Sequence, residues 1–271
     1  MSGYRPGPLA ILFAVLVAIF LLMPLLAVVP VSFTPQRFLS MPQGELSLRH
    51  YRALFENAAW GDGLLLSLRI GVVSSLIATV LAVMFGLGIW MFRPLLTPVL
   101  VGFVLLPMIV PPVVSALTIY FLLTGLSKFN DLVGYDTWLG VALAHVIMIV
   151  PFAVVLILVA LSQVDRRIDL AARGLGASVS QRAFRIILPN IKFGVLTAAL
   201  LSFVLSWEEI GVTLFVSSVD AITLPRLMWM GLRDNIDPAI AAISVLLILA
   251  TITVLLVRLL VQRLRPVQDG A

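Results

Sequence analysis

"DRRIDLAARGLGASVSQRAFRIILPN", from Asp165 to Asn190, is a polar, arginine-rich stretch lying between two long apolar segments. Ile168, Ala171, Ala172 and Leu175 have the spacing of one helical face, and Asp169 sits near the start, where a negative side chain suits the helix dipole. Gly174 and Gly176 then break the helix or permit close backbone approach. A second short helical pattern follows, with Ala183, Phe184 and Ile187 on one side and Arg182 and Arg185 on another, and Pro189 ends it. The pattern predicts a helical hairpin at a membrane surface, its exposed face kept flat by Ala and Gly. Two readings fit the residues equally: a hairpin that enters a groove on a partner, or an amphipathic segment resting on lipid headgroups.

The rest of the chain makes the membrane unavoidable. Of 271 residues, 61% are hydrophobic and only 11% charged, against about 45–50% apolar and about 25% charged in a soluble domain. The net charge of +5 does not point to nucleic acid, because the basic residues flank apolar runs instead of forming a face with aromatics. There is no Cys, and His50 and His145 are far apart, so neither a Cys-based site nor a His-rich metal site is expected.

Six apolar runs are long enough to cross a bilayer, which takes about 20 residues: roughly 8–32, 64–92, 96–126, 138–162, 192–216 and 238–262. The first exceeds a signal-peptide core and has no small-x-small cleavage site after it, so it is expected to be a retained helix. An all-α polytopic protein follows. With the N-terminus in the cytoplasm, that side holds Arg5, Arg93, the cations from Arg166 to Lys192, and Arg258, Arg263 and Arg265, with only Asp165, Asp169 and Asp269 as acids. The positive-inside rule therefore places both termini and the 165–189 hairpin in the cytoplasm. In the third run, "LLPMIVPPVV" (Leu105–Val114) predicts either a kink or a break that lines a pathway.

No G-x-x-x-x-G-K-[ST] phosphate loop is present: Lys128 lies in "SKF" and Lys192 in "IKF". Nor is there G-x-S-x-G, H-E-x-x-H or a metal-binding acidic cluster. Enzyme chemistry within the chain is not expected. Six helices without a visible repeat make a poor self-sufficient carrier, since secondary transporters pack more helices as repeats.

Within the hairpin, Leu170-Ala171-Ala172, then Gly176 after three residues, then Ile186-x-Leu188-Pro189 after nine more, resemble the E-A-A-x-x-x-G-x(9)-I-x-L-P pattern of permeases from binding-protein-dependent ABC importers. Leu170 stands where the pattern has Glu, beside Asp169. "LSLRHYRALFEN" (46–57), "HVIMIVPF" (145–152) and "TLPRLMWMGLRDNIDPAIAA" (223–242) extend the resemblance over nearly the whole chain. They are most similar to the second permease subunit of spermidine/putrescine-type importers. The resemblance implies one transmembrane permease domain over 1–271, in a bacterial inner membrane, forming half of a translocation pathway. It makes Asp169, Leu170, Ala171, Ala172, Gly174, Gly176, Ala177, Ile186, Leu188 and Pro189 a segment that couples to an ATPase. It also implies two ATP-binding subunits carrying ATP and Mg, a second homologous permease, and a periplasmic or tethered solute-binding protein. A polyamine is the implied cargo. An opine, an amino acid derivative or an aminophosphonate on the same machine is the alternative, and a scaffold or channel subunit is a reading of another class.

"SFVLSWEEIGVTLFV" (202–216) places Trp207, Glu208 and Glu209 in the fifth run. Acids at membrane depth usually face an interior or a watery path. About 100° separates adjacent helical positions, so one of the two lines the path and the other meets a partner or the rim. They either attract a cationic amine or form a gate salt bridge, with an arginine of the other permease or with Arg226 or Arg233. Trp207 stacks on a cation or anchors the helix. His145 and Tyr120 are expected to be hydrogen-bonded packing residues.

Overall fold

The computed structural model describes residues 7–234 and 236–264. Among them every regular element is helical. In chain order these are α1 (Pro8–Ser32), α2 (Arg49–Glu56), α3 (Ala58–Phe92), α4 (Thr97–Ile109), α5 (Pro112–Leu126), α6 (Trp138–Ser162), α7 (Arg166–Gly174), α8 (Val179–Gln181), a π-helical segment Arg182–Ile187, α9 (Leu188–Asn190), α10 (Lys192–Glu208), α11 (Thr213–Val216), α12 (Leu224–Asp234) and α13 (Ala239–Leu264). Four helices, α1, α3, α6 and α13, are long and apolar enough to cross a membrane, and six spans result if each of two bent pairs counts as one. Arg5, Arg265 and Asp269, which enter the sidedness argument, lie outside the described residues.

The chain divides into two compact units, one made of the part up to Gly61 with the part from Met228 onward, the other of Asp62–Leu227. In the first, α13 packs on α1 and α2. Helix α1 is apolar all round and exposed along almost its whole length, as a lipid-facing helix would be. At its end Ser32 Oγ lies 2.8 Å from the Tyr51 hydroxyl. His50 Nε2 is 2.9 Å from the Gln36 carbonyl, so the loop after α1 is folded onto α2.

The second unit is built round α6, which is buried on nearly every side: Val141, Ala144, His145, Ile149, Val154, Ile157 and Leu161 are all shut away. Without a hydrophobic force between helices in lipid, close packing on small residues has to hold them together. Gly86 of α3 meets Ile157, and Gly194 of α10 meets Ala160 so closely that neither glycine leaves room for a methyl group. Arg69, inside the second apolar run, stacks over the Trp138 ring at 3.5 Å.

Two expected spans, the second and the fifth, need correction, and in the third the break is realised instead of the kink. The second starts earlier, at Ala58, and its 35 residues make about 52 Å of helix, more than the roughly 30 Å hydrocarbon core. The third is not one helix: α4 and α5 meet at 102°. Pro111 and Pro112 supply no N–H, and Val110 and Pro111 are both pushed to extended backbone (ψ 134° for each), as a residue preceding proline generally is. The fifth stops at Glu208 instead of 216, because Glu209 is extended and Gly211 follows before the short turn of α11.

Asp136, between α5 and α6, was not anticipated. It adopts φ +58° and its two carboxylate oxygens accept from the backbone N–H groups of Ser218, Val219, Asp220 and Ala221, at 2.6, 2.8, 3.1 and 3.2 Å. Partial burial alone would raise its pKa, but these four donors outweigh it and hold the carboxyl below its ordinary value. The unfolded chain therefore takes up the proton first as pH falls, so this stabilisation is complete above the unfolded value and is lost as pH drops through the lower folded one. Thermal melts of the purified chain should show an acid-side loss of stability below about pH 4 that Asp136→Asn flattens; an unchanged acid profile in that variant would sink the assignment. Gly194→Ala should lower stability by about 1–3 kcal/mol through overpacking against Ala160. Gly88→Ala, where a Cβ meets nothing within 4 Å, should be neutral in the same melts.

Candidate functional site

The hairpin begins with a cap: the Asp165 side chain accepts from Arg167 N at 2.9 Å and starts α7. The helix ends in a Schellman motif. Ala177 N bonds the Ala172 carbonyl and Gly176 N bonds the Arg173 carbonyl, each at 3.0 Å. Gly176 stands at φ +79° with open space where a Cβ would be. Its requirement for glycine is therefore one of backbone conformation, while Gly174 is simply the last helical residue. Ser178 and Gln181 then form a reciprocal capping box that starts the second arm.

The inner face of the hairpin is charged. Asp169 is only 6% exposed; it accepts from Arg173 Nε at 3.0 Å and from Arg182 Nη1 at 3.0 and 3.1 Å. Arg182 is itself 5% exposed, which corrects its expected place on an outer side with Arg185. The reason is the π winding of 182–187, whose wider turn brings residues five apart, Arg182 and Ile187, onto one buried side. The sequence signal for that winding is absent. Phe184 also departs from expectation: Ala183 and Ile187 are buried, but Phe184 is exposed.

In the first arm the expected face of Ile168, Ala171, Ala172 and Leu175 is divided. Ala172 shares the buried side with Asp169, whereas Ile168, Leu170, Ala171 and Leu175 are exposed, Leu175 at 88%. Gly174, Gly176 and Pro189 are exposed, and Ala177, Ile186 and Leu188 half-buried. Leu170 is exposed on the wall of a cavity that Arg93, Arg166 and Arg173 also line, and the acid that the arginines close on is Asp169. Arg166 and Arg173 tie α7 to the end of α3: Arg166 Nη1 to the Trp90 carbonyl at 3.4 Å, with its guanidinium 5.0 Å from the Trp90 ring, and Arg173 Nη2 to the Met91 carbonyl at 3.3 Å. Pro189 lies in the last turn before α10 departs at 74°.

The second candidate group lies at the break after α10. Glu208 is the last helical residue and exposed. Glu209 sits beyond it, half-buried; its Oε1 accepts from Val212 N at 2.8 Å and its carbonyl accepts from Thr213 Oγ1 at 2.9 Å. Glu209 thus caps a turn. Trp207 stacks on Phe203 with ring centroids 6.1 Å apart. Behind the break, His145 of α6 is 1% exposed, with Nδ1 2.8 Å from Ser206 Oγ and Nε2 2.9 Å from Thr213 Oγ1. It pins both sides of the break to α6. Tyr120 packs edge-on against Phe121 and Tyr135. Among the described residues no group of His, Asp and Glu could hold a metal ion.

Comparison with known proteins gives these features a family. The family described as the binding-protein-dependent transport system inner membrane component matches residues 78–266. A probable molybdenum ABC transporter permease of Haloferax volcanii is 33% identical over 196 residues, 70% of this chain and 72% of the relative. The putrescine transport system permease PotI of Escherichia coli is 29% identical over 92% of this chain and 91% of its own. The spermidine/putrescine permease PotC of Haemophilus influenzae is 26% identical over 93% and 95%. A bacterial ABC transporter that imports alginate has a chain of the same fold, with a TM-score of 0.63 and 17% identity across 94% of this chain and 95% of that one. The expectation drawn from the 170–189 pattern thus stands: the chain belongs to the family of inner-membrane permease components of binding-protein-dependent transport systems.

Proposed function

We propose that the chain forms half of the translocation pathway of an ATP-driven importer and receives motion through the 165–190 hairpin. The observation that carries this reading is an ion-paired hairpin with an uncovered apolar rim. Leu170, Leu175 and Phe184 are exposed around Ala171 and Gly174, while Asp169 and Arg182 lock the two arms from behind. A small-residue surface braced in this way suits insertion into a cleft, and the arginine bonds to Trp90 and Met91 would pass a push to α3. The ligands of hydrolysis, ATP and Mg, belong on two ATP-binding subunits and none in this chain. A second homologous permease and a periplasmic or tethered solute-binding protein complete the assembly, with both termini and the hairpin on the cytoplasmic side.

A polyamine or related cationic amine is the cargo we favour. Support comes from the relatives that span more than nine-tenths of both chains, which are named for putrescine and spermidine. It comes also from Glu208, an exposed carboxylate at a helix break with no ion pair among the described residues. The Haloferax relative is named for molybdenum, so a molybdenum solute is the competing cargo.

Leu175→Glu should leave the fold intact, because that side chain touches almost nothing, and yet cut co-purification of ATP-binding subunits with the tagged chain by about tenfold, the scale of one interface hot spot. Undiminished co-purification and uptake in that variant would return the hairpin to a lipid-resting role. In cells relying on this importer, labelled putrescine or spermidine uptake should exceed molybdate uptake, and Glu208→Gln should weaken it several-fold. Uptake of molybdate instead would keep the machine and overturn the cargo.

A further inference from the structure

Where α7 meets the end of α3, a cavity of about 300 Å³ is lined by Trp90, Phe92, Arg93, Arg166, Asp169 and Arg173, among others. Three arginines thus face one small space. The only carboxylate on its wall, Asp169, is already bonded to Arg173 and to Arg182 behind it, so the cavity carries an excess of positive charge. Arg166 shows the crowding: its pKa is lowered by burial first and by the like charge of Arg93 second, with Asp169 opposing.

Arg93 is the unusual member. It holds φ +47°, in the left-handed region, immediately before Pro94, a conformation that costs roughly 1–3 kcal/mol for a residue with a side chain. Nothing within the described residues offsets that cost through Arg93 itself, since its exposed side chain has no hydrogen-bond partner there. The neighbours are equally uncommitted: Phe92 and Leu96 are exposed, and Leu95 is 100% exposed. Apolar side chains standing beside an uncompensated cationic pocket, at the end of a membrane-crossing helix, ask for a ligand that is anionic at one end and apolar at the other.

We infer that the Arg93–Arg166–Arg173 cavity is a binding site for the phosphate of an anionic phospholipid, whose acyl chains lie against Phe92, Leu95 and Leu96. Basic pockets beside membrane helices recognise anionic headgroups by charge, and a guanidinium matches the phosphate oxygens in geometry as well. A free phosphate would satisfy the arginines and leave the three apolar side chains uncovered, which is why the lipid is the better fit. The site is independent of the cargo and needs only a membrane-embedded chain. Because Arg166 and Arg173 also bond the α3 carbonyls, an occupied site would stiffen the joint between the hairpin and α3.

Native mass spectrometry of the full chain tests this, with the chain released from detergent holding equal amounts of phosphatidylglycerol and phosphatidylcholine. Retention of phosphatidylglycerol should exceed that of phosphatidylcholine by at least about fivefold, the effect of one cation near a lipid surface. The preference should fall towards parity in Arg93→Gln and persist in Arg93→Lys, which keeps the charge. Lys192→Gln, outside the cavity, should retain it. The Arg93 side chain has no hydrogen bond in the described structure to lose, and a melt of each variant checks its fold independently. Equal retention of the two lipids, or an undiminished preference in Arg93→Gln, would overturn the proposal. So would inorganic phosphate that stabilises the chain as well as phosphatidylglycerol does, which would identify the cavity as a site for the free anion.

Discussion

The carboxylate of Asp169 is shut away from water, and two arginines close on it from different arms of one hairpin. Such a pair adds little net stability, because desolvating the charges offsets most of their attraction. Removing one partner, however, strands the other and costs about 3–5 kcal/mol. What the interaction supplies is therefore geometry. The π winding of Arg182–Ile187 delivers Arg182 inward, and the left-handed backbone at Gly176 turns the chain so that the arms can meet. These features together hold Asp169 in its bonds, and the hairpin they brace carries the exposed rim of Leu170, Ala171 and Leu175.

That arrangement also accounts for the departure at position 170. An acid there would be exposed, as Leu170 is, on a wall shared with Arg166 and Arg173, whereas the internal lock draws on the preceding position. The two positions answer different demands: one holds the hairpin, the other meets whatever lies beyond it. An apolar side chain at 170 changes the chemistry of the outer surface and leaves the lock intact.

Sequence reasoning succeeded where the physical signal is local. The limits of α1, α6 and α13 agree with the apolar runs to within about two residues, since composition alone decides where such a helix must stop. The turn at Gly176 is likewise a local signal. In the third span the sequence left a kink and a break both open, because its apolar content runs unbroken through the bend. Single prolines at 24, 30, 107 and 151 sit inside helices, so only the Pro111-Pro112 pair distinguishes a break from a tolerated kink. The fifth failed because Ile210 to Val216 remain apolar while Glu209 and the Gly211 turn end the helix. Asp136 and the Asp169–Arg182 pair were out of reach for a different reason. Their partners lie 82 to 85 and 13 residues away, and no periodicity encodes such a meeting.

The break after α10 shows how polar groups at membrane depth are divided between structure and function. His145 occupies both ring nitrogens with Ser206 and Thr213, one on each side of the break. Glu209 uses its carboxylate on the turn between them. Those groups hold an irregular segment in place, and irregular backbone at membrane depth is tolerated only inside protein or beside water. Glu208 is left out of this network, exposed at the helix end. A carboxylate facing lipid at the bilayer centre costs about 2.5–3.5 kcal/mol, and a shift of one position along the chain would have turned it towards the capped turn. Its exposure suits water, a partner subunit or a cation on that side of α10. On the proposed reading all three are present in the life of the transporter, and the rigid break is what keeps Glu208 turned towards them.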